Sequence, residues 1–370
     1  MDGNNQIPEQ IPGYQYGSPQ PYYGVPPYYG YGMPQGPVFD ERTARKNFSR
    51  IGMSYFVFWL VSIVFSNVAA LFLYIVFPDY TDNYLLMILA AILPMYVLGA
   101  PVCMLMMQRV PAEPPVRSKW NAGQIIGGFI VAYALMRFGS IVGVYIGSLI
   151  EAFFPDAQAT TNNVEELVMT GEMWVNVIVM VMAGPVVEEL LFRKILCDRL
   201  RPYGDGITIV VTGMMFGVFH GNVTQGVYAC VLGMFLAYVY LKTGNIFITI
   251  GYHIGVNFMG SVLPLLLLNS ANVEGMNEVL ATGDNEKLAE FITENIESFF
   301  LIGGYAMLIY GLMICGAVIL LITLARGRVR LQPGRIWIPS GRKFTTVILN
   351  VGMILFLIGG LFEILMSTFG

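Results

Sequence analysis

About nine long apolar stretches dominate this 370-residue sequence, and short polar or charged segments separate them. Most of the stretches reach the roughly 17–25 residues that a helix needs to cross a bilayer. Open sheets cannot satisfy their backbone groups in lipid, so we predict an all-α fold, a polytopic transmembrane bundle of about nine helices. The stretches are residues 51–77, 84–107, 122–149, 173–200, 207–221, 224–241, 246–268, 299–325 and 344–368.

The composition agrees with a membrane protein and excludes some classes of partner. Charged residues make up 12% of the chain, whereas they make up about 25% of a soluble domain. The net charge of −4 and the lack of a basic face with interleaved aromatic residues exclude a nucleic-acid partner. The four cysteines form no CxxC pair, so we expect neither a disulfide framework nor a thiolate metal site.

Basic residues occur in alternate loops. If nine helices alternate in direction, all these basic loops fall on one side of the membrane. The loops on the other side are acidic. The positive-inside rule then predicts a multi-pass protein of the cell membrane with its N-terminus in the cytoplasm and its C-terminus outside. The basic residues are Arg42, Arg45, Lys46, Arg50, Arg109, Arg117, Lys119, Arg199, Arg201, Lys242, Arg326, Arg328, Arg330, Arg335, Arg342 and Lys343.

Five regions follow from these boundaries. Residues 1–40 are rich in Tyr, Pro, Gly and Gln and lack the aliphatic residues of a core, so we expect a disordered tail. Residues 41–120 hold the first two helices, and residues 121–270 hold a central core. Residues 271–298 are an extracytoplasmic loop with a short amphipathic helix around Leu288, Phe291 and Ile292. Residues 299–370 hold the last two helices and a basic cytoplasmic loop.

Two adjacent glutamates lie inside the fourth apolar stretch, where a charge is expensive. Glu189 and Arg193 are one helical turn apart, share a face and are expected to pair, because a buried arginine needs a carboxylate. Glu188 points about 100° away around the helix and has no partner on it. An unneutralised carboxylate at low dielectric is suited to act as a general base.

Both histidines of the chain occur in the next part of the sequence, at depths similar to that of Glu188. Counted from the basic side at 1.5 Å per residue, Glu188 and His220 lie roughly 20 Å deep, and His253 and Asn257 lie roughly 10–17 Å deep. Three helices can therefore bring these four side chains together, and helix tilt can close the remaining offset.

The motifs Glu188-Glu189-x-x-x-Arg193, Phe216-x-x-x-His220 and His253-x-x-x-Asn257 resemble those of a known family. They are similar to the three motifs of the CAAX-protease and bacteriocin-processing intramembrane endopeptidases, also called CPBP or Abi. The resemblance covers about residues 120–270.

This resemblance implies a helical core with a polar cavity open to the cytoplasm. It implies that Glu188 activates water together with His220, and that His253 and Asn257 stabilise the oxyanion. The Glu189–Arg193 pair and Phe216 would support the site. The substrate would be a peptide or a prenylated protein, cleaved near the cytoplasmic side, and membrane lipid would be the other partner.

Several alternatives stay open at this stage. Glu188, His220 and His253 could ligate a catalytic zinc ion, but there is no HExxH motif and Asn257 is a poor zinc ligand, so a metal-free site is favoured. Buried acids and histidines also build proton relays, as in a proton-coupled transporter. A non-catalytic membrane immunity or scaffold protein is the third reading. The sequence names neither the substrate nor the oligomeric state.

Overall fold

The computed structural model describes residues 39–161, 171–270 and 273–370, and this part of the chain is helical without a strand. Eight helices are long and apolar enough to cross a membrane, which confirms the predicted polytopic bundle. The predicted disordered tail lies almost wholly outside the described residues. The long helices are α1 (Glu41–Val76), α2 (Tyr84–Met107), α3 (Ala122–Phe153), α4 (Met173–Tyr203), α6 (Val223–Thr243), α7 (Ile246–Leu267), α10 (Ile296–Ala325) and α11 (Val351–Phe369).

Shorter helices lie between the long ones, among them a five-residue helix, Lys343–Val347, that precedes α11. The fifth apolar stretch forms α5 (Asp205–Phe219), which at 15 residues is shorter than the helices that can cross a membrane. Two short helices, α8 (Val273–Thr282) and α9 (Asn285–Glu294), precede α10. Helix α9 confirms the short helix predicted in this loop, and its Phe291 is buried against Phe299 with ring centroids 6.5 Å apart.

Asparagine side chains cap several helices and so fix where the spans begin. Asn121 and Gln124 form a reciprocal capping box at the start of α3. Asn222 caps α6 and Asn245 caps α7 by accepting hydrogen bonds from backbone N–H groups of the first turn. Gly244, at φ +60°, ends α6 in the left-handed conformation that glycine adopts without strain. The sharp turn between α6 and α7 therefore follows from local sequence.

Large apolar side chains cover the outer surface of the long helices. Leu71 and Phe72 on α1, Phe300 and Met307 on α10 and Phe362 on α11 are each more than half exposed. A soluble protein rarely leaves contiguous apolar surface of this kind uncovered. Together with the lengths of the helices, this surface indicates a multi-pass membrane protein.

Helices α5 and α6 pack closely at the centre of the bundle. A methyl group at Gly217 would lie 2.5 Å from the carbonyl oxygen of Gly226, and one at Gly213 would lie 2.8 Å from that of Cys230. These glycines therefore let the two backbones approach, as small residues do between membrane helices. Helix α3 packs against the other side of α6 and against α10, and α1 packs against α2 and α11.

The loops that carry the basic residues meet at one end of the bundle. The segment between α10 and α11 folds back against the start of α5, where the Ile336 amide donates to the carbonyl of Pro202 at 2.8 Å. The other contacts at this end join Ser118 to Thr243, Arg50 to Arg109, Arg335 to Glu113 and Arg342 to Glu41. The basic loops thus lie together, as the alternation of nine helices predicted; their location in the cytoplasm stays a prediction.

Candidate active site

Helix α4 carries the first group of predicted site residues. Its segment Gly184–Glu189 is α-helical and is followed by a π-helical segment, Leu190–Cys197. Glu189 and Arg193 are fully buried, and Oε2 of Glu189 lies 3.1 Å from Nε of Arg193. The guanidinium carbon of Arg193 lies 4.7 Å above the centre of the Phe216 ring on α5. The predicted pair is therefore formed, and the aromatic face adds a second favourable contact for the cation.

His253 of α7 lies between the two glutamates of α4. Its Nδ1 is 3.0 Å from Oε1 of Glu189, and its Nε2 is 3.6 Å from Oε2 of Glu188. An ionised carboxylate only accepts hydrogen bonds, so the contact with Glu189 places a proton on Nδ1. Nε2 is then the nitrogen that faces Glu188. The side chain of Glu188 is 19% exposed and that of Glu189 is 0% exposed, so the two acids have different environments.

His220 follows the last residue of α5 and is oriented by its own helix. Its Nδ1 lies 2.7 Å from the carbonyl oxygen of Phe216. A carbonyl only accepts, so Nδ1 carries the proton and Nε2 is the acceptor of the neutral ring. The Phe216 ring makes edge contacts with both imidazoles, at centroid distances of 4.7 Å to His220 and 5.7 Å to His253. Glu188 and His253 both act electrostatically on His220.

Asn257 lies one turn after His253 on α7. Its Nδ2 donates to the carbonyl of Met180 at 3.3 Å, which joins α7 to a π-helical segment of α4. The amide has a second N–H and a carbonyl oxygen, so this contact leaves it able to bond a further group. The structure thus brings all three motifs to one place, because Glu188 meets His253, and Phe216 contacts both imidazoles.

Thr249, which lies one turn before His253 on the same face of α7, is a site residue that the sequence motifs did not predict. Its hydroxyl is within reach of two acceptors, the carbonyl of Ile246 at 2.9 Å and the carboxylate of Glu189. The hydroxyl has one proton and so bonds one acceptor at a time. Its side chain is fully buried. The i,i+4 spacing from His253 was the available signal, but a threonine in an apolar helix is common enough that spacing alone did not single it out.

Four π-helical segments near the site residues were also not predicted from the sequence. A π-helical turn inserts an extra residue and is often found at functional sites. One of these turns carries Arg193, one presents the carbonyl of Met180, and one begins directly after Asn257. The segments are Met95–Gly99, Val177–Ala183, Leu190–Cys197 and Phe258–Val262. Apolar periodicity does not distinguish these turns from ordinary helix.

The alternative zinc site would use Glu188, His220 and His253 as ligands. Among the residues that the structure describes, no three His, Cys, Asp or Glu side chains are close enough to hold a metal ion. Nδ1 of His253 is bonded to Glu189, and Nδ1 of His220 is bonded to a backbone carbonyl. A zinc-bound histidine commonly donates its other ring N–H to a carboxylate or a backbone carbonyl, so these contacts leave both Nε2 atoms available, and the zinc alternative stays a prediction.

A comparison with known protein families identifies the same part of the chain as the three motifs do. Residues 170–259, about a quarter of the chain, match the model of a family described as Rce1-like, type II CAAX prenyl endopeptidase. All three motifs lie in the matched range. No curated protein and no solved structure matches the chain. The match confirms the resemblance to the CPBP family and supports, in general terms, an intramembrane endopeptidase of the CAAX-protease type.

Proposed function

We propose that this protein hydrolyses a peptide bond close to the membrane face formed by its basic loops, with Glu188 as the general base. The observation that carries the proposal is the position of His253, whose Nδ1 is held by Glu189 while Nε2 faces Glu188 across 3.6 Å. One acid is used to orient the imidazole, and the other, partly exposed, is available for chemistry. A peptide or a prenylated protein segment is the proposed substrate.

Glu188 and His220 activate the water. Glu188 removes a proton from water, and the oxygen attacks the carbonyl carbon of the scissile bond. Nε2 of His220 is an acceptor in the neutral ring, so it orients the water through the second water proton. The proton taken by Glu188 then passes to the leaving amine as the C–N bond breaks. Water is thus added across the amide, and Glu188 returns to its carboxylate form.

His253 and Asn257 stabilise the negative oxygen of the tetrahedral intermediate. When the imidazole of His253 carries its second proton, Nε2–H is a donor that faces the site. The N–H of Asn257 that is not bonded to Met180 is the second donor. Donors fixed in a water-poor interior stabilise developing charge strongly, and each typically contributes about 10²–10³ in rate.

A cleavage assay on the purified protein in liposomes tests the proposal. The substrates are a peptide with a prenylated cysteine and the same peptide without the lipid, each with a fluorophore and a quencher on either side of the scissile bond. We expect Glu188→Gln and His220→Ala to abolish cleavage, because one removes the base and the other the acceptor. Glu297→Gln, at an exposed acid at the start of α10, is the matched control and should cleave like the wild type.

Wild-type cleavage by a folded Glu188→Gln variant would contradict the proposal. It would favour the non-catalytic membrane protein, since glutamine keeps the shape of the side chain and loses the base. Substrate or proton flux without cleavage would favour the transporter.

A further inference from the structure

Helix α2 lies outside the segment that matches the protease family, but it places one polar group beside the site. Pro94 lacks a backbone N–H, and the π-helical segment Met95–Gly99 follows it directly. A proline and a widened turn together change the direction in which the next side chains point. Tyr96 is the polar side chain of this segment, and it is partly buried.

The hydroxyl of Tyr96 lies against Gly184 of α4. A methyl group at Gly184 would be 3.1 Å from Oη of Tyr96 and 3.4 Å from the carbonyl oxygen of Val179. The first distance is tighter than ordinary van der Waals contact and the second is ordinary. A side chain at Gly184 would therefore crowd the phenol of Tyr96, whereas it would not crowd the backbone of α4. Glycine at this position makes room for the phenol.

Gly184 and Glu188 are one turn apart on the same face of α4. The phenol that lies over Gly184 is therefore on the side of the helix that presents Glu188. Tyr96 makes no hydrogen bond to another described residue. A phenol O–H is a donor that a carboxylate accepts readily.

We propose that Tyr96 is a positioning residue that donates a hydrogen bond to the carboxylate of Glu188 and holds it towards His253 and His220. This inference rests on the proposed function, because it assigns a task to the general base of that reaction. Among the described residues, Glu188 forms one ion-pair contact, with His253 at 3.6 Å, and a second contact would fix its rotamer. The catalytic arrangement is then completed by a helix outside the family segment.

The test compares Tyr96→Phe with a matched tyrosine variant in the liposome assay. Tyr96→Phe keeps the ring and removes the donor, so we expect kcat to fall roughly tenfold with KM unchanged, since a hydrogen bond to a charged group is lost. Tyr145→Phe makes the same chemical change at a residue of α3 that is 65% exposed, and it should leave both constants unchanged. Wild-type kcat in Tyr96→Phe would overturn the inference.

Gly184→Ala supplies a second variant that leaves the tyrosine in place. Its methyl group would push the hydroxyl away from Glu188, so we expect a loss in kcat similar to that of Tyr96→Phe. In the Tyr96→Phe background the hydroxyl is already absent, and Gly184→Ala should cost little more. If the fold-loss in kcat of the double variant equals the product of the two single losses, the two residues act independently. This result would also overturn the inference.

The Glu188→Gln variant separates the two proposals. If Glu188→Gln cleaves normally, the proposed function fails and takes the role of Tyr96 with it. If Glu188→Gln is inactive while Tyr96→Phe cleaves like the wild type, the proposed function stands and only the role of Tyr96 is wrong.

Discussion

Two neighbouring glutamates of α4 have different surroundings although they are adjacent in sequence. Glu189 is fully buried and contacts Arg193 on its own helix and His253 on α7. Glu188 points to the other side of His253 and is partly exposed. A buried carboxylate with two cationic or donor partners is fixed in place, whereas one with a single longer contact can exchange protons. The angular step of the helix separates the acid that we propose to support the site from the acid that we propose to react.

This difference predicts that a glutamate-to-glutamine substitution lowers the stability of the protein at one of the two positions and not at the other. Glu189→Gln leaves the guanidinium of Arg193 buried without a countercharge, and breaking such a pair costs about 3–5 kcal/mol of stability. Glu188→Gln should change stability little, because the side chain it replaces is partly exposed. Thermal unfolding of the detergent-solubilised variants measures the stabilities, and the cleavage assay measures activity.

We expect Glu188→Gln to be stable and inactive, and Glu189→Gln to be destabilised and impaired in activity. Equal stability of the two variants would show that the Glu189–Arg193 pair does not support the fold. A double variant, Glu189→Gln with Arg193→Met, removes both charges and should recover part of the stability that the single variant loses.

At the scale of the helices, the sequence predicts the elements better than their internal geometry. Length and apolar composition predicted the eight spanning helices, because lipid leaves few alternatives to a helix, and the ninth predicted span is the shorter helix α5. The Glu189–Arg193 pair could be anticipated from i,i+4 spacing, and the proximity of Glu188 to His253 from their depth along the helices. The π-helical turns and the contact of Tyr96 with Gly184 could not be predicted in this way, since they depend on how side chains pack between helices.

The glycines of α5 give a prediction for the contact between α5 and α6, which positions Phe216 and His220. In Gly217→Ala, the added methyl group would lie 2.5 Å from the carbonyl oxygen of Gly226, so the helices must move apart. We expect a lower unfolding midpoint and reduced cleavage. Gly311→Ala on α10 is the matched control, since a methyl group there meets no atom within 4 Å. Equal midpoints for the two variants would mean that the helices do not depend on this close approach.

At the scale of the whole molecule, the loops at one end hold the helices in register and concentrate positive charge. Lys242 pairs with Asp205 at 2.8 Å, and the backbone N–H of Gln332 donates to the same carboxylate at 2.9 Å. Asp205 thereby links the start of α5, the end of α6 and the segment between α10 and α11. The residues that contact one another here belong to loops that the positive-inside rule assigns to one compartment.

The same rule predicts which compartment this end faces. Gly341 lies in the basic segment after α10, and Lys287 lies in α9, which precedes α10. Both residues are exposed. Because α10 is long enough to span the membrane, one crossing separates the two positions. In a background without Cys103, Cys197, Cys230 and Cys315, a membrane-impermeant maleimide should label Lys287→Cys in intact cells. It should label Gly341→Cys only after the membrane is permeabilised. The reverse pattern would invert the predicted orientation, and labelling of both in intact cells would show that α10 does not separate them. If the predicted pattern is found, the basic end of the bundle faces the cytoplasm, and a substrate that is cleaved near this face, as we propose, is reached from the cytoplasm.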